Sequence, residues 1–184
     1  MPNFTMIAPR GNHTIHGHFW VPIDDEHCWA WSYDYHPTRS LTNAELEAMR
    51  TGNGIHVKYE PGSYRPAANK DNDYNMNRAA QKAGRTYSGV ENIGMQDAAI
   101  QESMGPIVDR TKERLVSTDT GIIMARGRLI LAVKALEKGV VPPGVNPAHQ
   151  RVRSASIILP PDQPFKVGAD EALIARPAVA PTSV

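Results

Sequence analysis

Gly94-Met95-Gln96-Asp97-Ala98-Ala99-Ile100-Gln101-Glu102-Ser103-Met104-Gly105-Pro106-Ile107 is the stretch from which the rest of the chain is read. It predicts a short helix that begins after Gly94 and is closed by the breaker pair Gly105-Pro106. Residues three and four apart stack on one helix face, so Ile93, Asp97, Ile100 and Met104 form a stripe. One carboxylate therefore sits in an otherwise apolar face. An ionised carboxylate against a core is costly unless a helix N-terminus, an arginine or a metal ion meets it. On spacing alone, Asp97 reads first as a cap or first-turn acid that favours the positive helix end. A metal ligand is the alternative.

Upstream of this helix the pattern changes from a period of 3.6 to a period of two. Phe4-Thr5-Met6-Ile7 suits a strand. Ile15, Gly17, Phe19, Val21 and Ile23 then alternate with His16, His18, Trp20 and Pro22, which is a strand signal. Asp24-Asp25-Glu26 is a turn. Beyond it Trp29, Trp31, Tyr33 and Tyr35 line one face, and Cys28, Ala30, Ser32 and Asp34 the other. Residues 13–35 thus read as an antiparallel hairpin with an aromatic ladder expected to pack in the core. Thr42 with Glu45 three residues on forms a capping box for a helix over 43–50. Residues 51–85 hold no sustained period and are expected to form a long loop.

Downstream, residues 109–114 are a mixed-charge run expected on a solvated face. Ser117-Thr118-Asp119 offers N-cap chemistry for a longer helix. Its apolar stripe is Ile122, Leu129, Val133 and Leu136, with Ile123 and Ile130 beside it, and Gly139 stops it. A short strand is expected over 154–159, followed by a mobile tail over 160–184. Strands followed by helices make an α+β fold.

Composition narrows the function. The 184 residues are 41% hydrophobic and 21% charged, as in a globular domain with its own core. A net charge of +1 supplies no field for nucleic acid, and no apolar run reaches the roughly 20 residues that cross a bilayer. No secretory signal is visible, and the single cysteine, Cys28, excludes an intrachain disulfide and a cysteine-based metal site. A reducing, cytoplasmic setting is expected.

Other arrangements carry less. His16 and His18 share a strand face, and with Asp97 they would make a two-histidine, one-carboxylate iron site. Paired strand histidines are more often packing or surface residues. Cys28 with His27 or His36 could be drawn as a thiol–imidazole pair, but a thiol on an aromatic strand is more often a small apolar filler. Glu102, five residues after Asp97, points to a different face. Gly139–Gly144 lacks a dinucleotide-loop pattern.

The run from Met95-Gln-Asp to Ile107-Val-Asp-Arg110 resembles the carboxylate segment of Rieske-type aromatic ring-hydroxylating oxygenases of the phthalate dioxygenase-like branch. His16-Gly-His-Phe-Trp-Val-Pro-Ile-Asp-Asp25, the segment Tyr64–Tyr74 and Arg151-Val-Arg-Ser-Ala-Ser156 resemble the same branch, in the same order. The resemblance implies the C-terminal part of a helix-grip catalytic domain over 1–159, an antiparallel sheet against a long helix. It makes Asp97 one ligand of a mononuclear non-haem Fe(II). In that family the strand matching His16-Gly17-His18 does not supply the other ligands. Two family patterns are missing from this sequence: the Cys-x-His and Cys-x-x-His pair of the Rieske [2Fe–2S] domain, and the Asp-x-x-His-x-x-x-x-His segment that holds the iron.

Two functions follow. In the first, implied by the resemblance, the chain would be the C-terminal half of an oxygenase that hydroxylates or demethylates an aromatic, acidic substrate. It would use O2 and electrons from NAD(P)H through a reductase and a Rieske centre, in a homotrimer completed by the upstream half. Alternatively, it is a non-catalytic helix-grip remnant that binds an apolar ligand, or an inactive truncation product. A sheet without its first strands would expose an edge, so the chain alone is expected to be poorly soluble and inactive.

Overall fold

The computed structural model describes residues 3–9 and 11–174. Strands β1 (Asn3–Ile7), β2 (Ile15–Pro22) and β3 (Cys28–Tyr35) form an antiparallel sheet in the order β1-β2-β3. The turn between β2 and β3 is closed by the Asp24 carboxylate, which accepts the backbone N–H groups of Glu26 and His27 at 2.8 and 2.7 Å. Register places His16 opposite Asp34, His18 opposite Ser32 and Gly17 opposite Tyr33. On the other side of β2, His18 faces Thr5 and Gly17 faces Met6. Residues directly opposite share a face. The sheet therefore has a polar face of Thr5, His16, His18, Ser32 and Asp34, and an aromatic face of Phe4, Phe19, Trp29, Trp31, Tyr33 and Tyr35.

The aromatic face is not the core that the alternation predicts. Trp31 and Phe19 are 49% and 46% exposed, and the rings pack on one another instead. Trp29 lies 5.6 Å from Trp31 between centroids and meets Tyr64 nearly edge-on at 5.2 Å. Tyr33 crosses Gly17 and donates its hydroxyl to the Thr5 carbonyl at 3.0 Å, covering the missing side chain and tying all three strands.

Helix α1 (Asn43–Arg50) starts at the Thr42 capping box, and Arg39 clamps the Glu45 carboxylate through two hydrogen bonds at 2.8 and 2.9 Å. That clamp and the Thr42 N–H hold the Glu45 carboxyl well below the ordinary carboxylate range. The segment read as loop contains a distorted 3-10 turn over Lys70–Asn75 and a short helix α2 (Arg78–Lys82). Helix α3 (Ile93–Ser103) follows, and Gly105 ends it at φ 88°. The buried cluster is Tyr74, Val90 and Met95, with Val57, Ala68, Met76, Ala98 and Ala99 packed around it.

Residues 3–109 make one compact unit and residues 110–174 belong to a second. In the second, helix α4 (Thr120–Leu136) ends in a Schellman turn. Val140 N–H donates to Ala135 and Gly139 N–H to Leu136, at 2.9 and 2.8 Å, with Gly139 at φ 77°. The Asp119 side chain does not cap the helix; it accepts the Val116 N–H at 2.9 Å. Glu113, expected on a solvated face, grips Arg126 on α4 through both oxygens. No α4 residue is buried, and its expected stripe is exposed, with Leu129 at 49% and Val133 at 57%.

The expected strand over 154–159 does not form. Instead Val152 pairs with Ile174, and a helix α5 (Phe165–Leu173) lies within the stretch read as a tail. Gly168 permits the close approach of Leu159, since a Cβ there would lie 2.7 Å from its Cδ2. Residues 175–184 of the expected tail lie outside the described residues.

A Cβ at Gly17 would overlap both the Thr5 carbonyl oxygen and the Tyr33 ring. Gly17→Ala is expected to destabilise the chain by about 2 kcal/mol through overpacking, measured by urea unfolding. An unchanged midpoint would contradict this account of the sheet.

Candidate functional site

Asn92 and Gly94 seat helix α3. Asn92 is the N-cap: its Oδ1 accepts the Met95 N–H at 2.8 Å, leaving Nδ2 free to reach outward. That amide donates to the Gly52 carbonyl at 2.8 Å and to the His56 carbonyl at 3.3 Å. Gly94 N–H donates to the Gly54 carbonyl at 3.0 Å. The approach is so close that a Cβ at Gly94 would sit 2.6 Å from the Ile55 oxygen. Ser32 on β3 donates its hydroxyl to that same oxygen at 3.2 Å. One turn, residues 52–56, is thereby clamped between the sheet's polar face and the start of α3.

This clamp gathers titratable side chains that are far apart in sequence. Asp34, 6% exposed, faces two imidazoles: His16 Nδ1 lies 2.6 Å from Oδ1 and His56 Nε2 lies 3.2 Å from Oδ2. The first contact is a hydrogen bond. The second has the distance of one but not the direction, and His56 Nε2 is a buried polar atom with no hydrogen-bond partner among the described residues. His18, next along the strand face, feels both Asp97 and His56. Burial pulls its pKa below the ordinary 6.5, Asp97 opposes that shift, and His56 adds to it. The far end of α3 is held by Tyr74, whose hydroxyl donates to Glu102 Oε2 at 2.6 Å. Burial, and then that carboxylate, push the Tyr74 pKa up to about 12.

Asp97 is not a cap; Asn92 is, and Asp97 lies in the second turn of α3. Nor does its stripe face the core. Ile93, Ile100 and Met104 are 58%, 65% and 52% exposed, whereas Met95, Ala98 and Ala99 pack inward. The two alanines allow the helix to lie close to Tyr74 and Val90, so the smaller face wins the core. Of the expected His16, His18 and Asp97 set, His18 is brought into the field of Asp97 while His16 is turned to Asp34. Cys28 is exposed rather than a packing filler. His27 is engaged by Asp24, and His36 by Asn12. Asp34 and His56 were missed. The strand alternation already put Asp34 on the histidine face, but nothing in the spacing pointed to His56.

Among the described residues, no three His, Cys, Asp or Glu side chains converge as a metal site. A mononuclear iron centre needs its full ligand set, and the described residues do not assemble one. No helix among the described residues is long and apolar enough to cross a membrane.

The lowered His18 value fixes a pH dependence. Between that value and 6.5 the unfolded chain binds the proton and the folded chain does not. The contribution is fully present above 6.5 and is lost as pH falls through this window. His18→Asn is expected to flatten the fall in unfolding free energy just below pH 6.5. An identical slope in parent and variant would contradict the assignment.

Residues 1–167 match the family described as LigXa C-terminal domain like. The 3-chlorobenzoate-3,4-dioxygenase oxygenase subunit of Comamonas testosteroni is 35% identical over 144 residues, covering 71% of this chain and 33% of that protein. The phthalate 4,5-dioxygenase oxygenase subunit of Pseudomonas putida is 28% identical over 138 residues, covering 75% of this chain and 31% of that protein. The chain spans about a third of the length of these curated relatives. A segment of aromatic dioxygenase oxygenase subunits is thus what this sequence resembles, and the chain belongs to the LigXa C-terminal domain-like family.

Proposed function

We propose that this chain is the carboxylate-bearing C-terminal part of a Rieske-type oxygenase that hydroxylates or demethylates an aromatic acid. The observation that carries the reading is the outward stripe of α3, where Asp97 sits between exposed Ile93, Ile100 and Met104. An apolar helix face with one carboxylate at its centre suits the wall of a pocket for an aromatic ring beside a metal. The two relatives are named for 3-chlorobenzoate and phthalate, both aromatic carboxylates, which supports the acidic substrate class.

In this reading Asp97 is one ligand of Fe(II), and the histidine ligands and the [2Fe–2S] Rieske cluster come from residues outside this sequence. Electrons arrive from NAD(P)H through a reductase, and O2 is the second substrate. Residues 1–159 form the C-terminal part of a helix-grip domain, and the complete enzyme is a cytoplasmic homotrimer. The exposed apolar residues of α3 are then covered by the rest of the catalytic domain. Without it they favour aggregation.

The test joins this chain to the upstream two thirds of a relative and measures, in the parent and in Asp97→Ala, the mononuclear iron per subunit, that is, the iron beyond that of the [2Fe–2S] cluster. The expected result is a parent loaded at the mononuclear site and a variant with at least roughly ten-fold less iron there, the cluster iron being equal in both, as loss of one ligand weakens the whole set. Equal mononuclear iron in both would remove Asp97 from the site. A parent that takes up none would favour the non-catalytic remnant.

A further inference from the structure

The sheet's polar face carries a line of titratable groups for which the oxygenase reading has no role. It begins with His16, whose side chain is 38% exposed and hydrogen-bonded to Asp34, and continues through Asp34 to His56, which is 11% exposed. Beyond His56 stand His18 and then Asp97. His16 comes from β2, Asp34 from β3 and His56 from the clamped turn. A contact that only pinned two segments would need one carboxylate and one partner. Here one buried carboxylate serves two imidazoles, and the inner one keeps a buried nitrogen beside an oxygen without bonding it. Leaving such an atom unsatisfied costs stability, and it calls for an explanation.

We propose that His16, Asp34 and His56 form a proton relay leading from solvent toward the side of α3 that carries Asp97. The inference rests on the oxygenase reading. Ring dihydroxylation combines an arene, O2, two electrons and two protons into a dihydrodiol; an external reductant supplies the electrons, and water must supply the protons. Protonated His16 passes its Nδ1 proton to Asp34 Oδ1 and is reprotonated from solvent. A half-turn of the Asp34 carboxyl group brings that same O–H to His56 Nε2, which takes the proton, and the doubly protonated His56 gives up its Nδ1 proton to water on the α3 side, which passes it to a product hydroxyl. Each step breaks one N–H or O–H bond and forms another, so charge and atoms balance. A small rotation of the His56 ring closes the one unaligned link. The groups facing the line are the Thr14 hydroxyl, 3.5 Å from His16 Nε2, and His18 with Asp97 at the inner end.

The test uses the full-length oxygenase carrying this chain, as parent, Asp34→Asn and His16→Gln. Asn keeps the shape of Asp34 but cannot accept and release a proton. In Asp34→Asn, kcat is expected to fall by roughly ten-fold or more with KM unchanged, as for loss of an acid–base group. The solvent deuterium isotope effect rises, and more hydrogen peroxide escapes per O2 consumed. His16→Gln shows the same pattern, relieved by added imidazole. Nitrogen-15 NMR of the parent shows His16 protonated at Nδ1, and Asp34→Asn loses that signature. An active parent whose kcat and isotope effect survive both variants overturns the relay alone. So does a damaged Asp34→Asn beside a His16→Gln that behaves as the parent. A parent that oxidises no aromatic compound overturns the oxygenase reading, and the relay with it.

Discussion

The side-chain amide of Asn92 is the contact on which the site depends. One face of it caps α3 and the other holds the carbonyls of Gly52 and His56. Asn92 adopts φ 48° and ψ 164° to do so, a sparsely populated conformation for a residue with a Cβ, which persists only because these hydrogen bonds over-determine it. Gly94 then allows the helix backbone to lie against Ile55 without a Cβ between them. Remove either feature and α3 has no reason to stand over the polar face of the sheet. Asp97 would lose its position relative to His18, and Tyr74 its partner Glu102.

This seating explains why α3 presents the face it does. A helix held at its first turn by Asn92 and near its last by Tyr74 has little rotational freedom left. The alanines fall inward, the larger apolar residues fall outward, and Asp97 goes with them. The result is a carboxylate that is neither capped nor buried. It is placed within electrostatic reach of His18 and where an apolar ligand or further chain would meet Ile100 and Met104. That is a reason to read α3 as one wall of a site rather than as a core helix.

Much of the fold was legible because it is local. The hairpin follows from strict alternation and a turn-forming Asp24, and α1 follows from Thr42 and Glu45, whose capping box is complete within four residues. The orientation of α3 was not legible. Its spacing offers two stripes, and the choice between them is made by Tyr74, Val90 and Val57, which come from a segment with no periodicity to read. The aromatic ladder has the right spacing for burial, yet its rings find one another and Tyr64 rather than a covering layer. Asp97 was singled out through its motif. His56 became visible only once a 40-residue separation had been closed by the Asn92–Gly52 hydrogen bond. Helix α5 was hidden by the prolines and valines around it, and by Gly168, whose value lies in the contact with Leu159.

The most direct measurement is an NMR titration of the His18 imidazole in the parent chain and in Asp97→Asn. Asp97 raises the His18 value against the effect of burial, so neutralising it must lower the midpoint further. The account predicts a midpoint below 6.5 in the parent and a lower one in the variant. Coincident curves would mean that α3 does not bring Asp97 to the histidine face, and the site described here would not exist.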